Sequence, residues 1–263
     1  MRSISLSDTM EEQYGSLSLP EPYGGFLGDI WPGFQILLWG EKGSGKSTQA
    51  LLLAAALVPH AEPFGGKVLY LSGEEGVGPG IQRRAQRLGV DTPEFADHIV
   101  ISEWTGSVEA LKEKILDEDA RWVFVDSVSV VDPRSDHALG FSEWARDHDI
   151  GVVYIAHAYK NGKDYKGDSK VGHEVDAVLR AYRDEEGRYR VETEKNRALD
   201  APPDRDLHAP SSIHALTSFP SPDDVARENP GLNCSSTPQS KQCRWWFWHL
   251  ENRGESESSS DAE

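Results

Sequence analysis

The sequence predicts an α/β fold in which a mostly parallel, twisted sheet is flanked by helices and continues into a C-terminal antiparallel hairpin. Short apolar segments alternate with helical patterns between residues 21 and 200. These segments are apolar on both faces, which is typical of parallel strands covered by helices on both sides. Residues 176–196 then form a candidate hairpin that turns at Glu186 and Gly187.

Strands and helices alternate in chain order. The segments predicted as strands are FQILLW (34–39), KVLYLS (67–72), HIVIS (98–102), RWVFVD (121–126) and GVVYIA (151–156). The helical patterns between them cover residues 46–58, 80–89, 107–116 and 141–149. This alternation favours strand–helix–strand units, which build a parallel sheet.

Composition divides the chain into three stretches. Residues 1–20 are polar and Ser-rich and are predicted to form a flexible N-terminal arm, and residues 21–200 form the predicted core. Residues 201–263 hold seven of the 15 prolines, many serines and an acidic end, which indicates a tail. Its aromatic-dense segment 243–250 (CRWWFWHL) is predicted to dock on the core or on a neighbouring chain and so hide apolar surface.

Charge and composition exclude several classes of protein. The 27 basic and 44 acidic residues give a net charge of −17, so contact with a polyanion needs a locally basic patch. No run reaches the roughly 18 apolar residues of a membrane span, and the N-terminus lacks the apolar core of a signal peptide, which predicts a cytoplasmic location. Cys234 and Cys243 are too few for a disulfide scaffold, and with His249 they match no zinc-site spacing.

The segment GEKGSGKST follows the first predicted strand and opens the first predicted helix. It satisfies the G-x-x-x-x-G-K-[ST] pattern, in which backbone N–H groups at the positive end of a helix cradle a di- or triphosphate. Lys46 would reach the β- and γ-phosphates, and the Ser47 hydroxyl would take one coordination position on Mg²⁺. The alternative is a Gly-rich turn that binds nothing. The predicted nucleotide-binding residues are Gly40, Glu41, Lys42, Gly43, Ser44, Gly45, Lys46, Ser47 and Thr48.

Two carboxylates at strand ends complete the predicted site. Asp126 ends the strand RWVFVD beside the phosphate loop, where it would be a second Mg²⁺ ligand or, alternatively, an ordinary loop cap. Glu74 follows the strand KVLYLS and is a candidate general base that would polarise the attacking water. Its neighbour Glu75 is an alternative base, and both glutamates could instead be solvated loop charges.

Five segments, in their order and spacing, resemble the ATPase core of the bacterial RadA/Sms branch of the RecA superfamily over about residues 21–200. They are LGDIWPGFQILLWGEKGSGKST, YLSGEEGVGPGIQRRAQRLG, VFVDSVSVV, HAYKNGKDYKGDSKVGHEVDAVL and VETEKNR. The phosphate loop is shared by many ATPases, whereas SGEE with RAQRLG, and KNR after the hairpin, are more specific. The resemblance implies a RecA-like P-loop fold that uses ATP and Mg²⁺.

The resemblance also implies roles for individual residues. Glu74 matches the catalytic glutamate, Asp126 the Mg²⁺-site aspartate, and His157 the position that senses the γ-phosphate and relays its loss to the following loop. Lys195 and Arg197 match a pair that reaches the γ-phosphate of a neighbouring subunit. This implies a homo-oligomer built by head-to-tail contacts, either a ring or a filament, with a hexameric ring as the family expectation. The alternatives are a structural histidine at a strand end and a basic hairpin end paired with nearby acids.

A lysine-rich loop lies between the predicted sensor and the predicted trans-acting pair. Residues 159–172 contain Lys160, Lys163, Lys166 and Lys170 in a chain that is otherwise poor in lysine. The resemblance implies that this loop contacts single-stranded DNA through backbone charge, and Tyr159 and Tyr165 could add base stacking. A mobile, solvated loop without a ligand is the alternative, which the overall negative charge favours.

The resemblance is not complete. Full-length members of the family carry an N-terminal four-cysteine zinc module and a C-terminal protease-like domain, whereas here no cysteine precedes Cys234 and the tail is short. KNR is followed by ALD, where the family usually has Phe-Gly. We therefore expect the core chemistry to transfer better than the biological role.

The sequence thus predicts a Mg²⁺-dependent ATP hydrolase that acts as an oligomer on single-stranded DNA in recombination, repair or replication. Three alternatives stay open: a KaiC-like regulatory ATPase without DNA coupling, a DnaB-like helicase motor, and a non-catalytic nucleotide-binding partner protein. DNA-independent turnover, strand unwinding and an absence of turnover would distinguish them in that order.

Overall fold

The computed structural model describes residue 5 and residues 15–61, 66–103, 107–128, 135–159, 164–165, 169–199 and 207–216. The strands are β1 (Gln35–Gly40), β2 (Lys67–Ser72), β3 (Ile99–Ser102), β4 (Ala120–Asp126), β5 (Gly151–His157), β6 (Ala177–Arg183), β7 (Tyr189–Asn196) and β8 (Leu207–His208). The helices are α1 (Tyr23–Leu27), α2 (Lys46–Ala61), α3 (Pro79–Leu88), α4 (Pro93–Ala96), α5 (Val108–Asp117), α6 (Ser135–Asp147) and α7 (Ser169–Glu174), and a 3₁₀ helix covers Ile213–Ala215.

The strands form one sheet in the order β3-β2-β4-β5-β1-β6-β7-β8. The pairs among β1 to β6 are parallel, whereas β7 runs antiparallel to β6 and β8 antiparallel to β7. The predicted fold class is therefore confirmed, including the hairpin formed by β6 and β7. Its turn is closed by the N–H group of Gly187, which donates to the carbonyl oxygen of Asp184 at 2.9 Å.

Several short elements were not predicted from the sequence. α1, α4 and α7 have between four and six residues, too few to show a helical period. α6 begins at Ser135 and not at the predicted residue 141. The prediction was wrong because Gly140, a poor helix former, suggested a boundary but lies inside the helix.

The sheet separates two apolar clusters. α2 and α3 pack on one face, where the Ala- and Leu-rich α2 is buried along almost its whole length. α5 and α6 pack on the other face through residues such as Leu111, Ile115, Phe141 and Ala145. Every residue of β1 is buried, as expected for a central strand with helices on both faces.

The direction of the strands decides where polar groups can meet. The parallel strands β1, β2, β4 and β5 end at the same side of the sheet, here called the carboxyl edge. Gly40 at the end of β1 is in register with His157, and Ser72 at the end of β2 with Asp126. β7 runs the other way, so its last residue, Asn196, pairs with the first residue of β6 at the opposite side, here called the amino edge.

Segments outside the predicted core also contact it. Leu17 and Leu19 are buried, and Leu17 pairs with Ile30. At the other end, Ile213 and Leu216 are buried in the cluster beneath α2 and α3. The predicted boundaries at residues 20 and 200 stay predictions, and the aromatic segment 243–250 lies outside the described residues. No helix in the described ranges combines the length and apolarity needed to cross a membrane.

The close packing of β4 against β5 generates a stability prediction. A Cβ at Gly151 would stand 2.3 Å from the ring of Trp122, which is its partner in register and is fully buried. Gly151→Ala is expected to lower the free energy of unfolding by about 1–3 kcal/mol, measured from the midpoint of urea unfolding. Gly140→Ala is the matched control, because a Cβ at that helical position meets nothing within 4 Å, and it should raise stability by about 0.5–1 kcal/mol. Equal midpoints for both variants would contradict this packing.

Candidate active site

The predicted phosphate loop joins β1 to α2 and packs against the β6–β7 hairpin. A Cβ at Gly40 would stand 2.1 Å from the carbonyl oxygen of Ala181 in β6. Gly45 has a φ of +93°, in the left-handed region, and a Cβ there would meet the ring of Tyr189 at 2.9 Å. A side chain at either position would force the loop away from the hairpin, so this loop conformation requires glycine at both.

The ammonium group of Lys46 lies inside this loop. Lys46 is 5% exposed, and its Nζ donates to the carbonyl oxygen of Glu41 at 2.8 Å. Burial lowers the pKa of the ammonium group, while the negative charges of Asp126 and Glu74 act against that shift. The hydroxyl of Ser44 is buried without a hydrogen-bond partner among the described residues. A buried cation and an unsatisfied hydroxyl in one loop fit a phosphate group, whose oxygens accept from both.

Asp126, at the end of β4, is buried next to the start of α2. Its Oδ2 accepts a hydrogen bond from the Tyr70 hydroxyl at 2.8 Å. Burial raises the pKa of Asp126, and hydrogen bonds from Tyr70 and Ser47 act in the opposite direction. The Asp126 carboxylate and the Ser47 hydroxyl therefore offer neighbouring oxygen ligands, the type that Mg²⁺ prefers. The peptide bond that follows, to Ser127, is cis.

Glu74 and His157 meet at the carboxyl edge beside these groups. Oε1 of Glu74 accepts from Nε2 of His157 at 2.5 Å and from Oγ of Ser127 at 3.1 Å. Burial acts to raise the pKa of Glu74, but the hydrogen bond and charge of His157, together with Ser127 and Lys46, hold the net pKa below its usual value. Glu74 is thus an ionised, partly exposed carboxylate that can accept a proton from water.

Glu75 points to a different partner. Both of its carboxylate oxygens accept from the guanidinium of Arg84 in α3, at 2.6 and 2.7 Å. This bidentate pair occupies the acceptor oxygens that a general base would need. Of the two glutamates that the sequence left open, the geometry therefore favours Glu74.

Comparison with known proteins shows which family the chain belongs to. Residues 6–163 match the AAA_25 family, described as an AAA domain. The chain belongs to the AAA_25 family. Proteins named DNA repair protein RadA are among the relatives of this AAA_25 chain. The RadA of Halalkalibacterium halodurans is 31% identical over 58% of the chain, and that of Haemophilus influenzae is 26% identical over 75%. The chain spans only 34% and 43% of the lengths of these two relatives.

The fold of the AAA_25 chain also has a solved counterpart. A KaiC-like protein from Pyrococcus horikoshii superposes with a TM-score of 0.59 at 15% identity, over 79% of this chain and 99% of the other. At that identity the likeness concerns the fold alone. Together with the AAA_25 match and the RadA relatives, it confirms the resemblance to RecA-superfamily P-loop ATPases close to RadA.

Lys195 and Arg197 of the AAA_25 chain lie at the amino edge, away from the phosphate loop. The Nζ of Lys195 donates to the carbonyl oxygens of Gly172, His173 and Val175 at 3.0, 2.7 and 2.6 Å. Both side chains thus bind the C-terminal end of α7, where the helix carbonyls attract cations. Because their strand runs opposite to β1, they do not join Lys46 in the site of the same chain.

Arg197 also pairs with an acidic residue, which was the alternative interpretation of this basic end of the hairpin. Its guanidinium donates to Oδ1 of Asp176 at 3.0 Å and to the carbonyl oxygens of Glu174 and His173. Asp176 is buried and accepts in addition from the backbone N–H group of Gln35 at the start of β1. The trans-acting role of the pair stays a prediction.

The lysine-rich loop is described only in part. Lys160, Lys163 and Lys166 lie outside the described residues, as does the side chain of Lys170, whose backbone belongs to α7. Tyr159 is exposed, whereas the ring of Tyr165 packs against Trp39, with the ring centroids 6.1 Å apart. Cys234, Cys243 and His249 also lie outside the described residues, within which no cluster of His, Cys, Asp or Glu suited to a metal was found.

Sequence reasoning missed several residues that support the site. Ser127 and Tyr70 fix the two carboxylates, and Arg84 holds Glu75 away. Arg183 donates to the carbonyl oxygen of Gly43 at 3.1 Å, and its guanidinium lies 4.4 Å from the ring centroid of Tyr189. Arg183 and Tyr189 are partners in register across the predicted hairpin, so strand pairing was the signal that could have found them. A cavity of about 430 Å³, lined by Glu41, Ser44, Arg180 and Arg183 among others, opens between this part of the hairpin and the loop.

The different partners of the two glutamates generate a kinetic prediction. Glu74→Gln is expected to lower ATP turnover by at least about 10²-fold, because an amide accepts no proton from the attacking water. Glu75→Gln is the matched control, since it loses only an ion pair with Arg84, and its turnover should stay within about threefold of the wild type. Steady-state phosphate release measures both. A larger loss for Glu75→Gln than for Glu74→Gln would reverse the assignment.

Proposed function

We propose that this chain is a Mg²⁺-dependent ATPase that couples ATP binding and hydrolysis to single-stranded DNA in recombination, repair or replication. The observation that carries the proposal is the convergence of Lys46, Asp126, Glu74 and His157 at the carboxyl edge. One buried cation, one buried carboxylate next to a hydroxyl, and one ionised carboxylate bound to an imidazole are groups that can bind phosphate, hold a metal ion and orient water for phosphoryl transfer.

Each member of this cluster has a task in the proposed reaction. The phosphate loop and Lys46 bind and orient the triphosphate, and Ser47 with Asp126 would hold Mg²⁺, which neutralises charge on the phosphates when bound. Glu74 takes the proton of the attacking water, and its carboxylate stays ionised because the contacts with His157, Ser127 and Lys46 outweigh the effect of burial on its pKa. Tyr70 and Ser127 keep the two carboxylates in separate positions, so that one serves the metal and the other the water.

His157 connects the site to the lysine-rich loop. Its Nε2 shares Oε1 of Glu74 with Ser127, and it is the last residue of β5 before that loop begins. A change in the hydrogen bonding of Glu74 when phosphate leaves would therefore act directly on His157 and on the segment that follows. This contact supports the proposed role of His157 as the sensor of the γ-phosphate.

The strand directions support a trans-acting role for Lys195 and Arg197. Asn196 between them is in register with Ala177, which pairs with Ile36, four residues before the end of β1 at Gly40. At about 3.3 Å per residue, the two edges of the sheet are roughly 13 Å apart along β1. A cation at the amino edge faces away from its own phosphate loop but is exposed to a chain packed below it. We propose a head-to-tail homo-oligomer, with a hexameric ring as the expected form.

The proposed DNA contact rests on the lysine-rich loop and on the relatives named DNA repair protein RadA. Four lysines within residues 159–172 give a local positive charge on a chain whose net charge is −17. The same net charge favours the second candidate, a regulatory ATPase that assembles without DNA. The two candidates differ in whether turnover responds to DNA.

The first test compares ATP turnover with and without single-stranded DNA. We expect DNA to stimulate the wild type, and stimulation to disappear when Lys160, Lys163, Lys166 and Lys170 are all replaced by alanine. The control replaces Lys112 and Lys114, exposed in part on α5, by alanine and should keep the stimulation. A turnover rate that DNA does not change in any of the three proteins would favour the regulatory ATPase.

The second test uses mixtures of inactive chains. Lys46→Ala removes the phosphate-loop cation, and Arg197→Ala removes the proposed trans-acting cation, so each variant alone should lose at least about 10²-fold in turnover. Mixing them should restore part of the activity, because some interfaces then combine an intact Lys46 with an intact Arg197.

The control for Arg197→Ala is Arg146→Ala. Arg146 is another cation within 3.5 Å of Asp176, and it contacts the same end of α7. If Arg197 acted only by stabilising this cluster, Arg146→Ala would be similarly inactive. Mixtures without any gain over the separate variants would refute the trans-acting role.

A further inference from the structure

An apolar groove lies along the edge strand β3, on the sheet face that carries α2 and α3. Its volume is about 550 Å³, and its walls include Val77, Ile81, Ala85, Val90, Ile99 and Ile101. Val77 is 57% exposed, unusual for a large apolar side chain in the described part of this chain. The groove is within the range of cavities that bind apolar groups, roughly 300–1,000 Å³.

The groove exists because α2 and α3 cover β2 fully but cover the edge strand β3 only in part. Ile99 and Ile101 of β3 are in register with Val68 and Tyr70 of β2. Val68 and Tyr70 are fully buried beneath the helices, whereas Ile99 and Ile101 are only partly buried. An apolar surface of this kind on an edge strand is a site for a further apolar segment.

The described chain ends beside this groove. The 3₁₀ helix Ile213–Ala215 packs at the end of α3, where a Cβ on Gly89 would meet Cγ2 of Ile213 at 3.0 Å. Ile213 and Leu216 belong to the same apolar cluster as Ile81 and Val90. The described range therefore ends, at Leu216, near the end of α3 that borders the groove.

We propose that residues 243–248 (CRWWFW) of the same chain occupy the groove and cover β3. Leu216 and Cys243 are 27 positions apart, and a flexible chain of that length spans on the order of 30 Å. The ten residues of α3 extend only about 15 Å, so the segment reaches any part of the groove. Three tryptophans and a phenylalanine in succession carry more apolar surface than a solvated tail supports.

Charge favours the same placement. The chain ends in ESESSSDAE, and the rest of the chain, which is also acidic on balance, repels this segment over most of its surface. α3 is an exception, because Arg83 and Arg87 are exposed one turn apart on its outer side. With the aromatic segment in the groove, the acidic end lies within reach of these two guanidinium groups.

The test uses a native thiol next to the aromatic segment. Cys234 and Cys243 are the two cysteines of the chain, so Cys234→Ser leaves one thiol, at Cys243. Gln82→Cys adds a second thiol on the wall of the groove, and Glu113→Cys adds one on α5, on the other face of the sheet. With oxidised glutathione as the oxidant, we expect an intrachain disulfide to form at least about tenfold faster with Gln82→Cys than with Glu113→Cys. Intact mass and non-reducing electrophoresis measure it.

Two further variants separate docking from chance collision. Val77→Asp places a charge in the groove and should slow the disulfide in the Gln82→Cys protein by about tenfold. Leu116→Asp is its matched control, since Leu116 is 54% exposed on α5, and it should leave the rate unchanged. Equal rates at positions 82 and 113, or no effect of Val77→Asp, would overturn the proposal. A disulfide found only between chains would also overturn it and would assign the groove to the tail of a second copy.

Discussion

The candidate site depends on one geometric constraint, the shared direction of β1, β2, β4 and β5. Parallel strands deliver their last residues to one edge, and each of these strands ends at or just before a polar group that the site uses. Before that point the strand residues are mainly apolar, because helices cover both faces of the sheet. A charged group placed earlier in any of these strands would be buried away from water, so the ionisable groups of the site lie at the edge.

At that edge, burial and charge oppose each other. Lys46 and Asp126 are both buried, and burial alone disfavours the charged form of each. The charge of Asp126 stabilises the ammonium group of Lys46. Hydrogen bonds from the hydroxyls of Tyr70 and Ser47 stabilise the carboxylate of Asp126. Glu74 is more exposed, and its contact with His157 helps to hold the pKa of its carboxyl group below the usual value. The site therefore holds three ionisable groups whose states depend on one another, and a bound phosphate would change all three together.

The sequence predicted the parts of this structure that depend on local pattern. Apolar segments located the central strands, and the spacing of Gly40, Gly45 and Lys46 located the phosphate loop. Glu74 and Asp126 were found because Asp126 ends a predicted strand and Glu74 follows one. Their environment was not predictable, since Ser127, Tyr70 and Arg84 reach the carboxylates through space from strands and helices that only the fold brings together. For the same reason the choice between Glu74 and Glu75 needed coordinates.

The positions of Lys46 and Arg197 bear on how many complete ATP sites an assembly of these chains would contain. Lys46 lies at one edge of the sheet and Arg197 at the other, so in the proposed head-to-tail assembly, with Arg197 acting on a neighbouring chain, each complete site would belong to a junction and not to a chain. An open row of n chains has n − 1 junctions and leaves one phosphate loop without a partner cation. A closed ring has as many junctions as chains. Specific activity per chain would then rise with the length of an open assembly and reach its full value only on closure, so a dilution series would report the completeness of the ring.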